Sequence, residues 1–170
     1  MRGHRAIAML SVALMTEALL LPWAKAALAV ERPRLWVVVN ARNPADHLAV
    51  AELRAIYTAN QRFWPRMGPV VPINGLPRSQ VRLAFDRIVL DMGPDEAGRF
   101  WIDQQVRGGA PPPRKAPSAR LAAAMVRKLR GGIAYLEAGT CVPRGTKLVA
   151  IIEGGAVRRP PSQEHPSCLR

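Results

Sequence analysis

Acidic residues are scarce: 12 Asp and Glu stand against 25 Lys and Arg in 170 residues, a formal net charge of +13. Such an excess points to an anionic partner, whether nucleic acid, a membrane surface or a small oxyanion, and composition does not choose among them. Cysteine is nearly absent, with Cys141 and Cys168 close to the end of the chain. Neither has metal-ligand spacing or a histidine beside it, so zinc and thiol catalysis find no support. His4, His47 and His165 are isolated from one another. There is no GxSxG, HExxH, Walker A or GxGxxG segment, and no carboxylate pair spaced for acid and base roles. Asp86 and Asp91 do not share a helical face, and Asp95 with Glu96 reads as dipole compensation. Nothing here supports an enzyme, a metal site or a cofactor.

What is present begins with a 49% hydrophobic composition, enough for one domain with a core. The N-terminus joins a basic "MRGHR" to the apolar "AIAMLSVALMTEALLLPW" and the small-residue "AKAALA". That is the layout of a secretory signal peptide, residues 1–29, with cleavage after Ala26 or Ala29. Glu17 and Pro22 interrupt the apolar stretch, and no later stretch is long enough to span a membrane, so no stable span is expected after cleavage. Export makes nucleic acid a poor partner. It also places Cys141 and Cys168 where a disulfide between them can persist.

Along the remainder, "LWVVVN" (35–40) reads as a buried strand. "LAVAELRAIYTAN" reads as a helix of about three turns with Val50, Leu53, Ile56 and Tyr57 inward and Asn60 as a left-handed C-cap. "VVPIN" (70–74) is a second strand, with Pro72 suggesting a sheet edge. From Ser79, Val81, Phe85, Ile88 and Met92 follow a helical spacing, with Arg82, Asp86 and Arg87 on the outer face. "GPDEAGRFWIDQQV" opens with Pro94 and two acids, as a helix start does. "RGGAPPPRKAP" (107–117) is an extended loop. "SARLAAAMVRKLR" has Ser118 as N-cap and Leu121, Met125 and Leu129 inward. "IAYLEAG" and "KLVAII" are the last strands, and 154–170 is a polar, proline-rich tail. The alternation gives an α/β domain over 30–153, a mixed sheet covered by helices. Trp64 and Trp101 read as core or loop anchors.

The junction "INGLPRSQVR" joins a strand end to a helix start carrying Arg78, Ser79, Gln80 and Arg82. Guanidinium forks, a hydroxyl and free backbone amides suit an oxyanion. Equally, Ser79 is a helix cap and the arginines are solvated.

The ordered segments "WVVVNARNP", "LAVAELRAIYTANQRFWPRMGPVVPIN", "RSQVRLAFDRIVL", "PPPRKAPSARLAAAMVRKLRGGIAYLEA" and "KLVAI" resemble the short exported members of the PstS-like family, the phosphate-binding components of ABC transporters. The resemblance covers about residues 35–152. It implies a single lobe of the periplasmic-binding-protein type II fold and a solute-binding role for phosphate or a related oxyanion. It also implies an ABC permease or another envelope protein as partner, and periplasmic or other exported location. It places the anion at Arg78, Ser79, Gln80 and Arg82. Gly131 to Tyr135 match the family's "GAIGY" segment, with Ala134 where glycine is usual, and this makes Gly132 and Tyr135 cleft-flanking. The departures are a length sufficient for one lobe of two, the missing SGT-type and glycine-rich anion loops, Ala49 where a Ser or Thr cap is usual, and Ala59 where glycine is usual. They leave an alternative, a degenerate lobe that acts as an envelope interaction module without a small ligand.

Overall fold

Three consecutive valines after Leu35 and Trp36 make a strand that suits burial on both faces, and β1 (Leu35–Asn40) is buried at every position but Trp36. The computed structural model describes residues 33–161. The expected signal peptide, His4, His165, Cys168 and the last part of the expected tail lie outside the described residues. After β1 come α1 (Val50–Tyr57), a hairpin of β2 (Phe63–Trp64) and β3 (Gly68–Pro69), and β4 (Val71–Asn74). α2 (Gln80–Phe85) passes directly into a π-helical turn (Asp86–Leu90), and α3 (Pro94–Val106) leads to β5 (Arg114–Lys115). α4 (Ala119–Lys128), β6 (Gly132–Glu137), β7 (Thr146–Glu153) and β8 (Ala156–Arg158) follow.

Six strands form one mixed sheet in the order β5-β4-β6-β1-β7-β8. β4 runs parallel to β5 and β6, whereas β1 is antiparallel to β6 and β7, and β8 is antiparallel to β7. The two-residue period of β1 divides the core. Leu35, Val37 and Val39 point to the face covered by α1, α2 and the π turn, where Leu53, Ile56, Tyr57, Phe85 and Val89 meet them. Val38 points to the other face, where α4 lies with Ala122, Ala123 and Val126. Each large apolar side chain buried this way contributes about 1.5–3 kcal/mol.

Several sequence expectations are corrected. α1 is eight residues long rather than three turns, and Val50 is exposed. Ala59, not Asn60, takes the left-handed conformation after it, with φ 61°; the Asn60 amide instead donates to Thr58 Oγ1 at 3.1 Å. β4 is internal, not an edge. Its proline is tolerated because the Val71 N–H donates toward Gly131 on the β6 side, so the Pro72 nitrogen faces β5, which pairs only from Ile73 onward. The 107–117 segment is no free loop, since it contributes β5. On α4 the buried residues are Ala122, Ala123 and Val126; of the three residues expected inward, Met125 and Leu129 pack against this cluster and Leu121 is exposed. Residues 156–158, expected in the tail, form β8.

Other expectations hold. Trp64 is buried and its indole N–H donates to the Gly131 carbonyl at 2.9 Å, which pins the hairpin to the start of β6. Trp101 is buried on α3. Pro94 opens α3, and Glu96 accepts from the Gly93 N–H at 2.7 Å.

Candidate functional site

β4 and β5 end together at Asn74 and Lys115, while β6 runs parallel beside β4 and continues to Glu137; in open α/β sheets ligands bind outside such carboxyl ends. β4 ends at Asn74, a buried polar side chain. Its Oδ1 accepts from the Tyr135 hydroxyl at 3.3 Å, and the same hydroxyl accepts the Gly75 N–H at 3.3 Å. Tyr135 is held from below by Phe85, stacked with ring centroids 3.9 Å apart and planes 9° apart. Tyr57 closes the cluster edge-on to Phe85 at 4.6 Å, its hydroxyl within 3.3 Å of the Ile73 and Ile133 carbonyls. Burial pushes both tyrosine hydroxyls above their ordinary pKa, so both stay neutral hydrogen-bonding groups.

From Gly75 the chain turns through Arg78, whose φ of 65° is left-handed. Ser79 then caps α2, its Oγ accepting the Arg82 N–H at 3.3 Å. Arg82 and Asp86, one helical turn apart, pair through Nε and Oδ2, and both side chains are largely buried. The second Asp86 oxygen is buried without a hydrogen-bond partner. Burial pushes the Asp86 carboxyl above the ordinary carboxylate value, even beside the guanidinium that favours its charged form.

Two cavities open over these strand ends. One, of about 360 Å³, is lined by Asn74, Arg78, Arg82, Asp86, Trp101 and Lys115 among others. The second, of about 230 Å³, contains Gly75, Ser79, Ser118 and Tyr135 in its wall. Three cationic side chains from three segments thus reach the larger cleft: Arg78 from the loop, Arg82 from α2 and Lys115 from β5. Such an array can hold an oxyanion through charge-assisted hydrogen bonds. Among the described residues no group of three or more His, Cys, Asp or Glu is placed to hold a metal, and no helix is long and apolar enough to cross a membrane.

No family model matches the sequence, and no curated protein matches it. Solved structures share its fold. An ABC-type phosphate transport receptor from Vibrio cholerae matches with TM-score 0.54 and 17% identity, over 70% of this chain and 47% of that one. A putative phosphate ABC transporter substrate-binding protein with bound phosphate, from Clostridium perfringens, matches with TM-score 0.55 and 18% identity, over 71% and 46%. PstS from Borrelia burgdorferi matches with TM-score 0.50 and 14% identity, over 64% and 43%. The fold is that of part of a periplasmic binding protein. The chain spans about half the length of the first two proteins.

Within this fold the residues singled out in the sequence separate. Arg78 and Arg82 share the larger cleft. Ser79 faces the smaller cavity with its hydroxyl engaged as the α2 cap. Gln80 is exposed and lines neither cavity. Tyr135 supports the floor of the strand ends, as described above. Gly132 sits at the opposite, N-terminal end of β6, facing Val71. An added Cβ there would lie 2.9 Å from the Val126 Cα, so this glycine serves helix packing. Cys141 is disulfide-bonded, and Cys168, its expected partner, is not among the described residues. Asp86, assigned to an outer face by its spacing, is buried. Asn74 and Lys115 escaped sequence reasoning altogether. The only signal for them was local, a polar residue ending an apolar strand and a basic pair ending a proline-rich loop.

Proposed function

We propose that the chain is an exported solute-binding module that holds a small oxyanion, phosphate or a close relative, in the cleft between Arg78, Arg82 and Lys115. One observation carries this reading: three cationic side chains from separate segments converge on the carboxyl ends of parallel strands. Asp86 neutralises Arg82, and Asp95 also lines the cleft, so the positive charge on offer to a ligand rests on Arg78 and Lys115, both exposed. The Asn74 side chain also lines the cleft. A single open lobe leaves the anion in contact with water, where screening keeps affinity modest. In this reading a second protein, an ABC permease or another envelope component, completes the enclosure. The N-terminal 29 residues direct export.

The test is a thermal-shift titration of the protein with phosphate, sulfate and chloride at fixed ionic strength, because a ligand of the native state raises stability by mass action. A saturable rise with phosphate that Arg78→Gln and Lys115→Gln weaken is the expected result. Undiminished affinity in both variants would reject the cleft as the site.

A second reading has its own support. Phe63, Ile102 and Val106 are large apolar side chains left exposed on β2 and α3, and the Ser79 hydroxyl and Arg82 are already engaged within the protein. A lobe of this kind acts as an envelope interaction module without a small ligand. A flat response to all three anions, with a specific partner recovered from envelope extract, is its signature.

A further inference from the structure

At the far end of the sheet from the cleft, where β1 and α4 both terminate, lies a cavity of about 270 Å³ lined by Asn40, Ala41, Arg42, Arg127, Lys128, Arg130 and Gly145. Four of its seven lining residues are cationic and none is acidic. The side chains of all four are exposed, and among the described residues no carboxylate pairs with any of them.

Cations at a helix C-terminus are ordinarily explained by the negative end of the helix dipole. Here that end is already served by a buried side chain. Asn40 Nδ2 donates to the Val126 carbonyl at 3.0 Å and to the Arg127 carbonyl at 2.9 Å. The Asn40 Oδ1 also accepts the Arg42 N–H at 3.0 Å, so one buried amide fixes both walls of the cavity. The third wall is the turn before β7. There Gly145 has φ 94°, the Ala41 N–H donates to its carbonyl at 2.9 Å, and an added Cβ would press on Arg127 Cγ at 3.3 Å. Arg42 arrives from a segment remote from α4 and has no helix end of its own to complement. Like charges gathered without counter-charge repel one another, and a multivalent anion relieves that repulsion.

The geometry points to a second anion site, in which Arg42, Arg127, Lys128 and Arg130 take a phosphoryl group carrying at least two negative charges. Guanidinium forks match phosphate oxygens bidentately, and Lys128 adds a point charge. The strand register separates this site from the cleft. Val39 pairs with Ile133 and Asn40 with Thr146, whereas the cleft lies beyond Asn74 and Lys115. The two sites can be filled independently, and this one does not rest on the proposed function. The phosphoryl group can come from a soluble molecule or from a phosphomonoester lipid headgroup.

The experiment has two arms, both using the protein at about 0.15 M salt to screen nonspecific attraction. Calorimetric titration with inorganic pyrophosphate reads the soluble source. Cosedimentation with phosphatidylcholine vesicles, with and without a minority of phosphatidic acid, reads the lipid source. Binding in either arm that weakens about tenfold in Arg42→Gln/Arg130→Gln supports the site, since two charge-assisted contacts are lost. It must change less than about twofold in the charge-matched control Arg87→Gln/Arg107→Gln, as expected if bulk charge is not the cause. Equal weakening in both double variants, loss in Arg78→Gln instead, or no binding in either arm overturns it. The substituted positions are exposed, so melting temperatures should match; if the double variant melts lower, Arg130→Gln alone carries the comparison.

Discussion

Asp86 shows how much one side chain's environment departs from its place in the sequence. Its spacing from Arg82 marks an ordinary exposed pair, yet both side chains are largely buried, and one carboxylate oxygen has no partner. Burial raises its pKa in the folded state. Between the unfolded and the raised folded value, the native protein therefore binds more protons than the unfolded chain. Stability is highest below the unfolded value and falls as pH rises through the folded one. Urea denaturation of the wild type and Asp86→Asn, from about pH 4 to 7, should find this component of the slope missing in the variant. By the same sign, at neutral pH the neutral Asn side chain should not lower stability relative to the charged carboxylate. Matching slopes would contradict this assignment. Ala59 is a second case: helical spacing gave the left-handed cap to Asn60, and only the family resemblance, in which glycine is usual at this position, bore on Ala59. With φ 61° it carries a left-handed strain that Ala59→Gly relieves. The gain expected in the urea midpoint is equivalent to roughly 0.5–1 kcal/mol, after the greater entropy of the unfolded glycine chain is set against it.

Among the elements, long periodic segments were legible and short or irregular ones were not. β1, α3, β6 and β7 lie where apolar runs and cap residues put them, since each combines a clear period with boundary chemistry. The spacing from Val81 to Met92 implied one regular helix. The π turn over Asp86–Leu90 inserts a wider turn that brings Val89 and Leu90 into the core, leaves Met92 beyond the helix and turns Asp86 inward. Two- and three-residue strands such as β5 and β8 have no period to detect, and with β5 went Lys115, the third cation of the cleft. On α4, hydrophobicity favoured Leu121 over Ala122 and Ala123, but alanines face the sheet because the helix backbone approaches β6 closely. A different close approach, that of β3, governs Gly131, just before β6. A Cβ on Gly131 would stand 1.9 Å from the Pro69 carbonyl oxygen, so the β3 backbone must move to admit it. Gly131→Ala is therefore expected to lower the thermal midpoint sharply, with a loss above about 2 kcal/mol from overpacking and from the displaced Trp64 hydrogen bond. A midpoint within experimental error of the wild type would show that the hairpin does not rest on β6.

For the molecule as a whole, the net charge of +13 acquires a distribution. Cations gather at both ends of the sheet, in the cleft over the parallel strand ends and in the pocket where β1 and α4 terminate. The fold class was readable from alternating strands and helices and from the order of the resembling segments. The cleft was only half readable, because Arg78 and Arg82 lie in one contiguous motif while Asn74 and Lys115 come together through the parallel pairing of β4 and β5. The central claim is that this cleft holds a small oxyanion. The most direct measurement is calorimetric titration of the protein with phosphate, beside Arg78→Gln/Lys115→Gln. The account expects saturable binding in the wild type, weakened by at least five- to thirtyfold in the variant, as the loss of about 1–2 kcal/mol requires. Heats indistinguishable from those of chloride, or equal affinity in the two proteins, would contradict it.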